Sequence, residues 1–225
     1  MRLPGLSRVG LGGWSDDPLW GTLYDWTVEH PRVGGALWAV AIQSDLRKLY
    51  AAAAETGRLP AGSAALDVPC GGGVALRGLR QGQGVRYVAA DIAQKMLDRT
   101  LDAAYERGLE DQVEPRLADV GELPFADGEF DLVVSFTGLH CFPDPARAVV
   151  EMVRVLRPGG VITGSTILND TGLQHQPMRQ MGRLAGLLGP SCTGEEVQRW
   201  LGGQRCVEIT LDRSGAMGYF RAVKG

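Results

Sequence analysis

Residues 65–76 read ALDVPCGGGVAL, an apolar run that passes through a glycine-rich turn into a helical pattern. A short buried strand, a tight turn and a helix in that order is how an α/β protein turns backbone N–H groups toward a nucleotide-like ligand. The alternation then repeats. VRYVAAD is strand-like, and AQKMLDRTLDAAYERG sets Met96, Leu97, Leu101 and Ala104 on one helical side, with Gly108 near its end. QVEPRLAD is a weaker third strand, and FDLVVSF is a buried fourth. PARAVVEMVRVL is a helix expected to turn Val149, Val150, Val153 and Leu156 inward, with RPGG as its stop and VITGSTI as the fifth strand. This order implies a mainly parallel sheet with helices on both faces and a ligand crevice at the carboxyl ends of the strands.

Both ends of the chain depart from the alternation. Residues 1–16 are glycine-rich and read as irregular. Residues 17–56 read as helix in two pieces, broken at EHPRVGG by Pro31, Gly34 and Gly35, with Gly57 and Pro60 ending the second piece. Residues 168–203 interrupt the pattern with polar, glycine-rich and helical material. CVEITL then alternates Val207, Ile209 and Leu211 on one face, DRSG reads as a turn, and AMGYFRAVK returns, which predicts a terminal antiparallel hairpin.

The chain's 225 residues suffice for one α/β domain. A net charge of −3 argues against a nucleic-acid partner, which normally needs a basic face. Cys70, Cys141, Cys192 and Cys206 form no CxxC pair, so no zinc or redox motif and no metal is expected. The amino terminus has no uninterrupted apolar core, and no run approaches the roughly 20 apolar residues that span a bilayer. The expectation is a cytoplasmic protein with reduced thiols.

Three ligands compete for the glycine turn. A P-loop requires a lysine after the glycines, and none follows. A dinucleotide fingerprint requires a third glycine, and Leu76 stands in its place after Gly71 and Gly73. The third reading is a loop that cups a ligand without phosphates. Asp91 ends the second strand, 24 positions after Asp67, where a carboxylate can take both hydroxyls of a ribose. Asp119 follows the third strand, where a carboxylate can take the exocyclic amine of adenine. No phosphate-binding cation accompanies them.

In LDVPCGGG, AADIAQKML, ADVGELPFADGEFDLVVS and GLHCFPDPARAVVEMVRVLRPGG the chain resembles the class I S-adenosylmethionine-dependent methyltransferases. It is most similar to their small-molecule, type 11 group, which includes the ubiquinone and menaquinone biosynthesis enzymes. The resemblance covers about 66–160 and implies a Rossmann-like, seven-stranded, mostly parallel sheet with one antiparallel strand. It implies S-adenosyl-L-methionine as cofactor. Asp67, Gly71 and Gly73 would surround the methionine part and Asp91 would hold the ribose. Ile92 and Met96 would flank the adenine, with Asp119 and Val120 at its edge. Ser135 and Phe136 would contact the methionine part through backbone. The departure is Pro69, where the family carries glycine. Proline removes one N–H and extends Val68, which a strand end requires anyway.

His140, just past the fourth strand, reads either as a general base or as a packed loop residue. His175 reads as a substrate contact or as a solvated loop histidine. Trp20 and Tyr24 share a helical face with Leu23 and Thr27, either packed on the sheet or forming a lid over an apolar or aromatic substrate. The expected arrangement is one domain: a helical lid over 1–57, a cofactor-binding core over 58–167, a substrate-side insert over 168–203 and a hairpin over 204–225. Its expected activity is methyl transfer to a small organic acceptor, with cofactor binding without transfer as the alternative.

Overall fold

The computed structural model of the chain describes residues 30–225. The first expected helix, with Trp20 and Tyr24, lies outside them. The central strand β1, Ala64–Asp67, is hydrogen-bonded on both sides, to β2 (Arg86–Asp91) and to β4 (Phe130–Phe136). With β3 (Val113–Leu117), β5 (Leu156–Ile167), β6 (Cys206–Ser214) and β7 (Met217–Lys224) the sheet has the order β3-β2-β1-β4-β5-β7-β6. Strands β1 to β5 are parallel, and β7 runs antiparallel to both its neighbours. The expected mostly parallel, seven-stranded architecture with a terminal hairpin is therefore present. The order reverses between β1 and β4, which puts the ligand crevice at their carboxyl ends.

Period-two alternation sends successive side chains of each strand to opposite faces. Leu66, Val88 and Val133 pack on one face with Val149, Met152 and Val153 of helix α4 (Pro145–Val155) and with Val197 and Leu201 of α6 (Gly194–Gly203). Ala65, Tyr87, Ala89, Leu132 and Val134 pack on the other face. Their partners there are Leu46 and Leu49 of α2 (Leu46–Ala53), the 3₁₀ turn Val74–Gly78, and Leu97 and Ala104 of α3 (Gln94–Glu106). Among the described residues no helix is long and apolar enough to cross a membrane.

Four local expectations are corrected. Helix α1, Pro31–Ala41, runs through Gly34 and Gly35 rather than breaking there. Proline at the first helical position gives up no hydrogen bond, so Pro31 starts this helix. The break falls at Gln43, whose φ is 54°, and Asp45 caps α2 by accepting from Arg47 N at 3.0 Å. Val150 is exposed, because the buried stripe of α4 runs through Ala148, Val149, Met152 and Val153. The RPGG segment does not separate helix from strand. Leu156 already pairs with Phe130, and the register shifts before Leu132 meets Val161. Val207 is 51% exposed, because the pairing of β6 with β7 shifts between Val207 and Thr210 and breaks the alternation.

Candidate functional site

The turn after β1 closes on β2. Cys70 N donates to Ala90 O at 2.9 Å, and Gly71 N donates to Asp91 Oδ2 at 3.1 Å. Thr100 Oγ1, from α3, donates to Gly71 O at 2.8 Å. Gly71 and Gly73 have φ of 52° and 81°, which glycine alone adopts without strain. A Cβ on Gly71 would meet nothing within 4 Å, so this turn faces open space. The peptide before Pro69 is cis, and the turn forms its contacts to β2 with proline in place.

Three carboxylates stand on this edge. Asp91 is buried at the end of β2, and its Oδ1 accepts from Ala93 N at 3.0 Å. Burial raises its pKa, against the N–H groups of Ala93, Gly71 and Ile92, which lower it. Asp67 is buried at the end of β1 and accepts from the Tyr87 hydroxyl at 2.7 Å. Burial pushes the Asp67 carboxyl up to about 8, with the nearby Asp91 charge adding to the rise while the Tyr87 bond opposes it. Asp119, beyond β3, is exposed and takes Gly121 N at 2.8 Å.

The apolar residues of the edge differ in exposure. Ile92 is 70% exposed beside Asp91, whereas Met96, Val120 and Phe136 are buried. Ser135, at the end of β4, is fully buried and its hydroxyl has no partner in the structure. It lies beside Pro69, because a Cβ on Gly138 would come within 2.7 Å of Ser135 Oγ and 2.5 Å of Pro69 Cδ. An orphaned hydroxyl, buried carboxylates and an open glycine turn form a cradle for a ligand rich in hydroxyl and amine groups. They suit the adenosine and amino-acid parts of S-adenosylmethionine.

His140 follows β4 and His175 follows β5. His140 is buried, and its Nδ1 accepts from Ile167 N at 3.1 Å, with Thr166 Oγ1 at 3.3 Å. Burial pushes it down to about 3, so it is neutral, and accepting at Nδ1 puts its proton on Nε2. His175 is not solvated. It is 4% exposed, and its Nδ1 donates to Thr171 O at 2.8 Å. Tyr87 and Thr100, which hold Asp67 and Gly71, were not singled out by sequence. Each reads as an ordinary strand or helix residue.

A family model described as a methyltransferase domain matches residues 66–163. That span runs from β1 through the start of β5 and contains every carboxylate above.

Residues 66–163 carry this methyltransferase domain.

The 27-O-demethylrifamycin SV methyltransferase of Amycolatopsis mediterranei is 37% identical over 106 residues, 46% of this chain and 39% of the relative. The chain thus spans about two fifths of that relative's length. Geranyl diphosphate C-methyltransferase from Streptomyces coelicolor A3(2), solved with Mg2+, geranyl diphosphate and S-adenosyl-L-homocysteine, shares the fold. The TM-score is 0.64 at 16% identity, covering 80% of this chain and 82% of that one. The [4+2]-cyclase SpnF shares it too, with a TM-score of 0.63 at 22% identity, covering 80% and 81% of the two chains.

Proposed function

We propose that this methyltransferase binds S-adenosylmethionine at the ends of β1, β2 and β4 and methylates a small organic acceptor at oxygen, nitrogen or carbon. The observation that carries the reading is the corner where Asp91 holds the Gly71 turn beside buried Asp67. An ionised carboxylate offers about four lone-pair sites, and the N–H groups of Gly71 and Ala93 take one on each oxygen of Asp91. The remainder take the ribose hydroxyls. Asp67 receives the cofactor's ammonium group, and Ser135 and Phe136 border its methionine part. Ile92 and Met96 flank the adenine, while Asp119 and Val120 read its edge.

The bound cofactor supplies a methyl group already activated on a sulfonium. The chain's task is then to align the acceptor behind that methyl and exclude water. Orientation alone is worth roughly 7–11 kcal/mol. His140 serves this reading as a positioning residue that ties the loop after β4 to the end of β5, because its free lone pair is taken by Ile167 N–H. The insert over 168–203 forms the acceptor side. The acidic balance of the chain favours a small molecule over nucleic acid.

Incubation with methyl-labelled S-adenosylmethionine and a panel of hydroxylated and aromatic metabolites tests this. Label in an acceptor, lost in Asp91→Ala, supports it. The cyclase neighbour shows that the fold has other uses, so a second reading is cofactor binding without transfer. Saturable cofactor binding with no label moved to any acceptor favours that second reading.

A further inference from the structure

The insert contains a polar cluster that the cofactor corner does not use. After β5 the chain makes a turn through Thr171 and Gly172, then a 3₁₀ turn Leu173–His175 and helix α5, Gln176–Leu184. His175 and Arg179 are four residues apart, on one helical face, and both are only 4% exposed. They converge on Thr171. His175 Nδ1 donates to its carbonyl at 2.8 Å, and Arg179 Nη1 donates to its hydroxyl at 3.1 Å. Arg179 also donates to Leu168 O at 3.2 Å and Gly172 O at 3.0 Å.

Two features of this cluster call for a ligand. Arg179 is a buried cation with no carboxylate partner among the described residues. Buried charges are otherwise paired. The carboxylate in the turn, Asp170, is committed to Arg213 at 2.7 Å and to Gly194 N. A guanidinium has five N–H groups, and the three bonds above leave two for a partner. Independently, His175 Nε2 is buried with no hydrogen-bond partner. With Nδ1 donating to Thr171 O, Nε2 is the ring atom left for a ligand, and its lone pair can take an O–H or N–H. The contrast with His140 is direct, since there the lone pair is occupied.

We propose that Arg179 and His175 form the acceptor subsite, and that it takes a carboxylic acid carrying a hydroxyl or N–H on the neighbouring atom. Two guanidinium N–H groups match one carboxylate, and the adjacent hydroxyl donates to His175 Nε2. The cluster is closed in the structure, so entry of a ligand requires α5 and its flanking turn to move. Naming this ligand the methyl acceptor rests on the proposed function, but its binding does not.

The test is calorimetric titration of the full chain, saturated with S-adenosylhomocysteine, with three probes: mandelate, phenylacetate without the hydroxyl, and mandelamide without the carboxylate. Mandelate is expected to bind about tenfold tighter than mandelamide, and about threefold tighter than phenylacetate. Arg179→Gln erases the first preference, and His175→Phe erases the second while keeping the first. If Arg179→Gln does not fold, Arg179→Lys retains the charge without the paired N–H groups and must reduce the first preference at least threefold. Equal binding of the three probes, no binding of any, or preferences that survive both variants would overturn the proposal. Inorganic phosphate competing as well as mandelate would overturn the ligand class. Loss of S-adenosylhomocysteine binding in wild type would remove the methyltransferase reading, and the same probe comparison without it would still decide the subsite.

Discussion

At the ends of β1 and β2 the polar groups are short and held by backbone. Asp91 takes N–H groups from Gly71 and Ala93, and Gly71 returns its carbonyl to Thr100. At the end of β5 they are long side chains, Arg179 and His175, folded back onto the turn of their own insert. The first region is built from strand ends, whose spacing the sheet dictates. The second is carried by α5, a helix of the insert that follows β5. On the proposed reading, the difference separates a cofactor corner built from strand ends from an acceptor subsite built on the insert.

Asp91→Ala breaks the first region most severely. It removes the ribose acceptor and the brace on Gly71 together, so affinity for S-adenosylhomocysteine should fall at least ~100-fold by titration. Arg179→Gln, in the second region, should leave that affinity within about twofold. An equal loss in both variants would erase the distinction between the regions. Gly71→Ala comes next. Its φ of 52° penalises a Cβ by roughly 1–2 kcal/mol, and the methyl would enter the open side of the turn. Cofactor affinity should drop about tenfold, with a lowered melting temperature.

Asp67 adds a pH dependence to the first region. In the ligand-free fold its carboxyl keeps a proton up to about pH 8, whereas an unfolded aspartate releases it near 3.8. Between those values folding takes up a proton, so this group's contribution is full below about pH 4 and is lost as the pH rises through 8. Melting curves across that window should show the decline, and Asp67→Asn should flatten it. The smallest effect on methyl transfer belongs to His140. His140→Phe leaves Ile167 N–H unpaired and should cost about 1–3 kcal/mol of stability. The pH profile of methyl transfer should not move, and a shifted profile would restore His140 as the base.

How much of this was legible in the sequence follows the same division. FDLVVSF is observed as β4 residue for residue, because a strand buried on both faces must be a continuous apolar run. The carboxylates stand where strand ends put them. Positions that depend on irregular backbone were not legible. The RPGG segment inside the β5 register and the shift that exposes Val207 arise from pairing between strands, which no local pattern records. Pro31 read as a breaker because proline ends one helix and begins another with the same ring. Burial of His175 and Arg179 was hidden for a further reason. A polar helix near a turn looks solvated until its partners are known, and theirs are the carbonyls of Thr171, Leu168 and Gly172.

The most direct measurement is calorimetric titration of the wild-type chain with S-adenosylhomocysteine and, separately, with NAD. The account predicts saturable binding of the first at one site per chain and none of the second. At a hundredfold excess over Kd the first should add about 2.7 kcal/mol of stability, on the order of 5–10 °C in melting temperature. No binding of S-adenosylhomocysteine at millimolar concentration would contradict the account, and equal binding of NAD would show that the glycine turn serves a dinucleotide instead.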